Sequence, residues 1–190
     1  GSGLRAVISG FQSIKLGESK KIISAGQENM SLAPHSILYR EKKIFSEDKL
    51  LDTMINDGLI DAFNNYHMGV TAENIAEKFK ISRQEQDAFA LKSQIKAQSS
   101  LEQNKFKDEI VKVNFNGHFL DEDEHPRKNI KIEDLKKLKT VFKKNGTVTP
   151  GNASGINDGA AAIALTTLEE VKKKSLKAIV KIKSWSSVGV

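Results

Sequence analysis

Between Gly146 and Ala162 the chain reads GTVTPGNASGINDGAAA, a concentration of small and polar residues that an ordinary core segment does not require. Gly151, Gly155 and Gly159 recur every four residues and allow positive φ and close backbone approach. Asn152, Ser154, Asn157 and Asp158 place hydrogen-bonding groups between them. Two readings fit: a tight loop leading into a strand, or backbone built to touch a ligand. The AAAIAL run that follows, Ala160 to Leu165, predicts a buried strand.

The elements before it follow from periodicity. Leu4, Val7, Ile8 and Phe11 fall on one helical face, which predicts a helix over about 2–16 with Gly17 as its stop. Lys21 to Gly26 is β-rich and closed by glycine, and predicts an inner strand. From about Asn29 to Pro150 the pattern is mixed helical and irregular, long enough to form an insertion between two strands of one sheet. Within it, Thr71 can cap a helix with an apolar stripe at Ala72, Ile75, Ala76 and Phe79. Ser82 and Glu85 form a capping box for a longer helix carrying Ala88, Leu91 and Ile95. Both stripes read as core rather than as cofactor contacts.

Composition narrows the function classes. A length of 190 residues suffices for a sizeable core in one or two domains. No apolar run is long enough to span a bilayer and no signal-peptide pattern opens the chain, so a cytoplasmic protein without a membrane partner is the expectation. Zero cysteines exclude disulfides and thiolate metal sites within these residues, and His35, His67, His118 and His125 lack metal-ligand spacing. The net charge of +6 comes largely from lysines clustered at 128–144 and 172–183. Such stripes attract phosphates of any kind. Only Arg5, Arg40, Arg83 and Arg127 are arginines among thirty basic residues, and no aromatics interleave with the lysines. That pattern argues against nucleic-acid recognition.

Several strings carry a family resemblance: GSGLRAV at Gly1 to Val7, AGQENMSLAPH at Ala25 to His35, DGLIDAF at Asp57 to Phe63, and YHMGVTAENIAEKF at Tyr66 to Phe79. SRQEQDAFALKSQ at Ser82 to Gln94, FKDEIV at Phe106 to Val111, the Gly146 to Ala162 stretch, and SWSSVGV at Ser184 to Val190 continue it. In this order they resemble the thiolase family, most nearly its acetoacetyl-CoA thiolase branch. The resemblance implies an α/β thiolase fold, layered αβαβα, of which this chain is an N-terminal half with a mainly helical loop-domain insertion. It implies core at 1–28, a coenzyme A-binding loop domain at 29–150, and a return to the core at 151–190 with the start of the C-terminal half. The nucleophilic cysteine is expected immediately before Gly1. There the N-terminus of the first helix would favour its thiolate. The chain is accordingly read as an internal fragment, inactive by itself, whose sheet lacks partner strands and is left with an open edge and an uncovered face.

The same resemblance implies the site. His67 would hydrogen-bond the pantetheine arm of coenzyme A, and Met68 would shape the acyl pocket for short chains. Ser154 would meet a pantetheine amide, and Leu59, Phe142 and Ala153 would pack against the adenine or the arm. Arg127 would lie near the nucleotide phosphates, where its planar fork suits phosphate oxygens. Asp134 and Pro150 depart from the family pattern, which commonly has a small hydroxyl residue and an alanine there. The implied reaction is condensation of two acetyl-CoA into acetoacetyl-CoA, or the reverse thiolysis, through an acyl-cysteine. It needs no metal or redox cofactor, coenzyme A thioesters being the substrates, and implies a homo-oligomer, a dimer or tetramer. A longer-chain 3-ketoacyl-CoA thiolase and a non-catalytic acyl-CoA- or lipid-binding relative remain the alternatives.

Overall fold

The computed structural model describes residues 1–37 and 50–188. Residues 38–49, within the expected insertion, and the last two of the SWSSVGV string lie outside the described residues. The chain divides into two compact units, Gly1–Leu32 with Asn157–Val190, and Ala33–Ile156.

In the first unit the apolar face at Leu4, Val7, Ile8 and Phe11 forms helix α1, Ser2–Lys15, and Gly17 ends it with φ +79°. Strand β1, Lys21–Asn29, pairs antiparallel with a strand at Asp158–Thr166 (β6, counted after the four of the second unit), from Lys21 opposite Thr166 to Asn29 opposite Asp158. The 33–156 unit is thus inserted between the two strands of one ladder. Gly10 is the residue of α1 that meets this ladder. A Cβ there would lie 2.7 Å from Ser24 Oγ and 3.0 Å from Leu165, and Ser24 donates to the Ala6 carbonyl at 3.3 Å. Beyond β6, Thr167 caps a short helix, Leu168–Lys173 (α5), and Trp185 stacks edge-on against Phe11 at 5.3 Å.

Two expectations are corrected here. The AAAIAL strand is not buried: Ala160 to Ala164 are all exposed. Alternation explains why, since Ile22, Ser24 and Leu165 point to α1, while Ile23, Ala25, Ala162 and Ala164 point to the opposite face. That face is open, and Ile23 is 77% exposed. The expected inner strand β1 has β6 as its one neighbour among the described strands. It also runs to Asn29, three residues past Gly26, because pairing with Ala161 to Asp158 carries it through the glycine.

The second unit starts with a two-residue ladder of β2, His35–Ser36, and β3, Leu51–Asp52, followed by a π-helical turn, Met54–Leu59, whose first amides donate to Asp52 Oδ1. Helices α2, Met68–Phe79, and α3, Arg83–Glu102, come next, then a hairpin of β4, Val113–Phe115, and β5, His118–Leu120, and the short α4, Ile132–Lys136. Asn116 and Gly117 both take positive φ and make the two-residue turn of that hairpin, a form this dipeptide favours. The hairpin is an addition to the mixed helical and irregular reading of this segment.

Helix starts and buried faces differ in part from expectation. The Ser82–Glu85 capping box is present. The cap of α2 is His67 rather than Thr71, because the His67 ring nitrogen accepts the Gly69 amide and opens the helix four residues earlier. The apolar stripes face inward at Ala76, but Ile75, Phe79 and Ile95 are 45%, 64% and 55% exposed. The buried residues of α2 and α3 are Glu73, Ala76 and Asp87. With Leu135, Val148 and Thr149 they form a small core, and its two carboxylates hold the chain segment that returns past them.

Candidate functional site

The chain reaches α2 through a closed loop. Ile60 bridges to His67, Asp61 N donates to the Tyr66 carbonyl, and Asp61 Oδ1 accepts the amides of Phe63 and Asn64 at 2.7 and 3.1 Å. Hydrogen bonds from Asn64 and Phe63 hold the Asp61 carboxyl below its ordinary range. Leu59, half-buried at the end of the π-helical turn, is therefore one residue from the bridge to His67.

His67 is placed by two contacts. Its Nδ1 accepts the Gly69 amide at 2.9 Å, and its ring stacks on Phe142 with centroids 4.6 Å apart at 23°. A ring nitrogen that accepts carries no proton, so the neutral ring is protonated at Nε2 and presents a donor there. Nε2 makes no hydrogen bond to a described residue. Met68 is the first residue of α2 and is 55% exposed.

Phe142 stays against His67 because the 141–148 segment is pinned to α2. Val141 N donates to the Val148 carbonyl at 3.1 Å, closing the segment into a loop. Glu73, 3% exposed, accepts Thr147 N, Thr147 Oγ1 and Val148 N at 2.8–2.9 Å. Lys143 pairs with Glu77 at 2.9 Å, one turn further along α2. Gly69 lies under Phe142, where a Cβ would overlap the ring.

Burial pushes the Glu73 carboxyl upward. The amides of Val148 and Thr147, the Thr147 hydroxyl and nearby Lys143 outweigh that and hold it below the ordinary glutamate range. A group lowered on folding contributes stability that is complete above its unfolded value and is lost as pH falls through the folded one. The urea midpoint of the chain should therefore be level above about pH 5 and decline below about pH 4.3. The decline should be shallower in Glu73→Gln, and identical slopes for the two proteins would refute this assignment.

The glycine-rich segment continues the same arrangement. Asn152 Oδ1 accepts Thr149 N at 2.8 Å, and its Nδ2 donates to Asp87 Oδ1 at 3.0 Å and to the Thr147 carbonyl at 3.1 Å. Asp87 in turn accepts Arg83 Nε at 2.7 Å, and Arg83 donates to the carbonyls of Leu135 and Leu138. Gly151 packs on Leu138 and Leu135, with room for no Cβ. Of the two readings of this segment, the structural loop holds at Gly151 and Asn152. Its Asn152 and Gly151 are turned to the core of their own unit, and among the described residues Gly17 and Gly117, not Gly151, Gly155 or Gly159, are the glycines with positive φ. Asp158 is likewise engaged, accepting the amide and hydroxyl of Ser31.

Ala153 lines a second place, a groove of about 690 Å³ along α3 with Gln86, Phe89, Gln94, His125 and Pro126. Arg127 is exposed on the segment beside it, its amide held by Gln94 Oε1 at 2.9 Å. Ser154 is exposed, and its hydroxyl makes no hydrogen bond to a described residue. Asp134 is used at the start of α4, where it accepts Lys131 N at 3.1 Å, and Pro150 is exposed. The structure thus joins His67 to Phe142, with Leu59 close by in the chain, and sets Ala153 in the α3 groove beside the Arg127 segment. Sequence reasoning named Asn152 as a hydrogen-bonding group of the glycine-rich stretch but missed Glu73 and Asp87. Their polarity hid them, since each lies on a face that apolar periodicity does not mark.

Among the described residues there is no group of three or more metal-ligating side chains. Directed donors and apolar surfaces stand on loops braced by buried carboxylates, in a unit inserted between the two strands of one β ladder. Comparison with known proteins makes the class specific. The family profile described as "Thiolase, N-terminal domain" matches residues 1–169, and the chain belongs to the thiolase family.

It is 46% identical to the acetyl-CoA acetyltransferase of Rhizobium meliloti and 47% identical to that of Pseudomonas aeruginosa, in each case over 100% of this chain and 49% and 50% of the relative. The chain spans about half the length of the curated relatives it matches. Among solved structures it is similar to the acetyl-CoA acetyltransferase of Syntrophomonas wolfei, with TM-score 0.86 and 38% identity over 93% of this chain and 45% of that one. It is also similar to human mitochondrial 3-ketoacyl-CoA thiolase in complex with CoA, with TM-score 0.84 and 36% identity over 92% and 45%. The fold is that of the thiolases. No described helix is long and apolar enough to cross a membrane.

Proposed function

We propose that this chain is the coenzyme A-binding part of a thiolase that interconverts two acetyl-CoA with acetoacetyl-CoA and coenzyme A. The observation that carries the reading is the 46–47% identity, along the whole chain, to proteins named acetyl-CoA acetyltransferase. The 29–150 segment acts as the loop domain, and 1–28 and 151–190 belong to the core. His67 donates from Nε2 to an oxygen of the pantetheine arm, and Ser154 meets an amide of that arm. Leu59, Phe142 and Ala153 pack against the arm or the adenine, and Arg127 meets the phosphates. Met68, at the exposed start of α2, limits the acyl chain. The cysteine that accepts the acyl group is not among the 190 residues, which contain none. The whole protein works as a dimer or tetramer in the cytoplasm, a placement supported by the cytosolic relative of Rattus norvegicus.

The test is thiolysis by the full-length protein across 3-ketoacyl-CoA chain lengths. Acetoacetyl-CoA should be the preferred substrate. Met68→Ala should raise kcat/KM for a six- or eight-carbon substrate by about tenfold relative to acetoacetyl-CoA. Equal use of long chains by the unaltered protein would instead favour a longer-chain 3-ketoacyl-CoA thiolase, a reading kept by the likeness to the human enzyme. Absence of thiolysis at every length, with coenzyme A still bound, would favour a non-catalytic relative.

A further inference from the structure

Helix α2 presents three residues to the 142–148 loop at successive turns. Gly69 lies against the Phe142 ring, Glu73 holds Thr147 and Val148, and Glu77 pairs with Lys143. The middle contact is the buried one. Glu73 occupies the space beneath Gly146 and is 3% exposed, whereas the Lys143–Glu77 pair has side chains 51% and 73% exposed and is screened by solvent. The anchored residue Val148 is joined to Val141 by a backbone hydrogen bond, and Val141 immediately precedes Phe142. Phe142 in turn lies flat on His67. His67 Nδ1 is already committed to the Gly69 amide, and the Phe142 stack is the second described contact that sets the plane of the ring. That plane determines where the Nε2 hydrogen points.

From this chain of contacts we infer that Glu73 is a positioning residue: through the 147–148 amides and Phe142 it fixes the ring of His67, and with it the direction of the Nε2–H donor. Among the described residues Glu73 accepts hydrogen bonds from Thr147 and Val148 and makes none to His67. The inference rests on the reading that His67 binds the pantetheine arm only for its consequence in binding, and its geometric part stands by itself. A carboxylate serves here because one group must accept two adjacent amides and a hydroxyl at once. Glutamine keeps the reach and an acceptor for the amides, and the Thr147 hydroxyl can turn to accept its NH2. Aspartate keeps the charge but withdraws the oxygens by one methylene, which draws the loop off Phe142's seat.

The test uses nitrogen NMR of histidine-labelled full-length protein beside its steady-state kinetics. In the unaltered protein His67 should show the Nε2-protonated tautomer and ring-proton shifts displaced by the Phe142 ring current. Glu73→Asp should move the ring-proton shifts toward those of a free imidazole, with the tautomer still held by the Gly69 amide, and raise KM for acetoacetyl-CoA about tenfold, with kcat changed by less than about twofold. Glu73→Gln should restore most of both. His67 signals unmoved in Glu73→Asp would overturn the inference, and leave Glu73 as a stabilising residue only. Signals that move while KM stays level would support the positioning and overturn the role given to His67 in binding. Should Glu73→Asp not fold, Thr147→Val decides the matter, since it deletes one donor to the same carboxylate. A smaller shift of His67 in the same direction supports the inference, and none overturns it.

Discussion

Replacing Asp87 with alanine should cost the 33–156 unit about 3 kcal/mol, because it removes the buried partner of an ion pair and leaves the half-buried Arg83 charged. Asp87 is 1% exposed and stands between Arg83 Nε at 2.7 Å and Asn152 Nδ2 at 3.0 Å. Arg83 would keep the carbonyls of Leu135 and Leu138, which moderates the loss, while Asn152 would keep only the Thr147 carbonyl for its amide. Asp87→Asn separates volume from hydrogen bonding. Its side chain has the same size, yet one of its two positions now carries an NH2 that must face either Arg83 or the Asn152 amide, both donors. A loss of about 2 kcal/mol is expected for it. Urea unfolding followed by circular dichroism measures both. Amide exchange at Thr149, whose N–H is held by Asn152 Oδ1, should quicken first. A loss below about 0.5 kcal/mol in Asp87→Ala would show that the network is replaceable by water.

This network also explains which parts of the molecule were legible beforehand. Helix α1, its stop at Gly17 and the capping box of α3 were read correctly, because each depends on residues within a turn of one another. The paired strands were read too, since β-rich runs bounded by glycine announce themselves locally. The inward faces of α2 and α3 were read only at Ala76. Apolar spacing marks a buried face only when hydrophobic side chains fill it, and here carboxylates on those faces reach backbone amides and an asparagine more than sixty residues away in the chain. The Asn116–Gly117 turn did carry a local signal for its hairpin, in the dipeptide itself. The exposure of the AAAIAL strand followed from what covers the sheet, which no property of the strand encodes. For the site, resemblance supplied the residues and the fold supplied their grouping. That His67 and Phe142 stack, and that Ala153 instead faces α3, depends on a loop closure between distant segments.

The loop closure itself can be broken at a residue with no side chain. Gly146→Ala should destabilise the 33–156 unit by about 2 kcal/mol, against the usual direction of such a change. Glycine to alanine ordinarily stabilises by about 0.4–1 kcal/mol where the backbone permits alanine, because the unfolded chain loses freedom. Gly146 does not have positive φ, so the backbone would accept the methyl group. The obstacle is the Glu73 carboxylate: a Cβ at Gly146 would overlap Oε1 and lie 2.7 Å from Cδ. The carboxylate must then leave the Thr147 and Val148 amides, and two buried donors lose their acceptor at about 1–3 kcal/mol each, partly relieved by relaxation. The sign of the effect therefore depends on Glu73. In a Glu73→Ala background the overlap is gone, the amides are already unpaired, and the added methyl occupies vacated space. There Gly146→Ala should be neutral or stabilising, so that the double-mutant cycle shows a coupling of about 2 kcal/mol or more. Additive losses would mean that the methyl group disturbs the loop backbone rather than the carboxylate, and the brace drawn between α2 and the 141–148 segment would have to be given up.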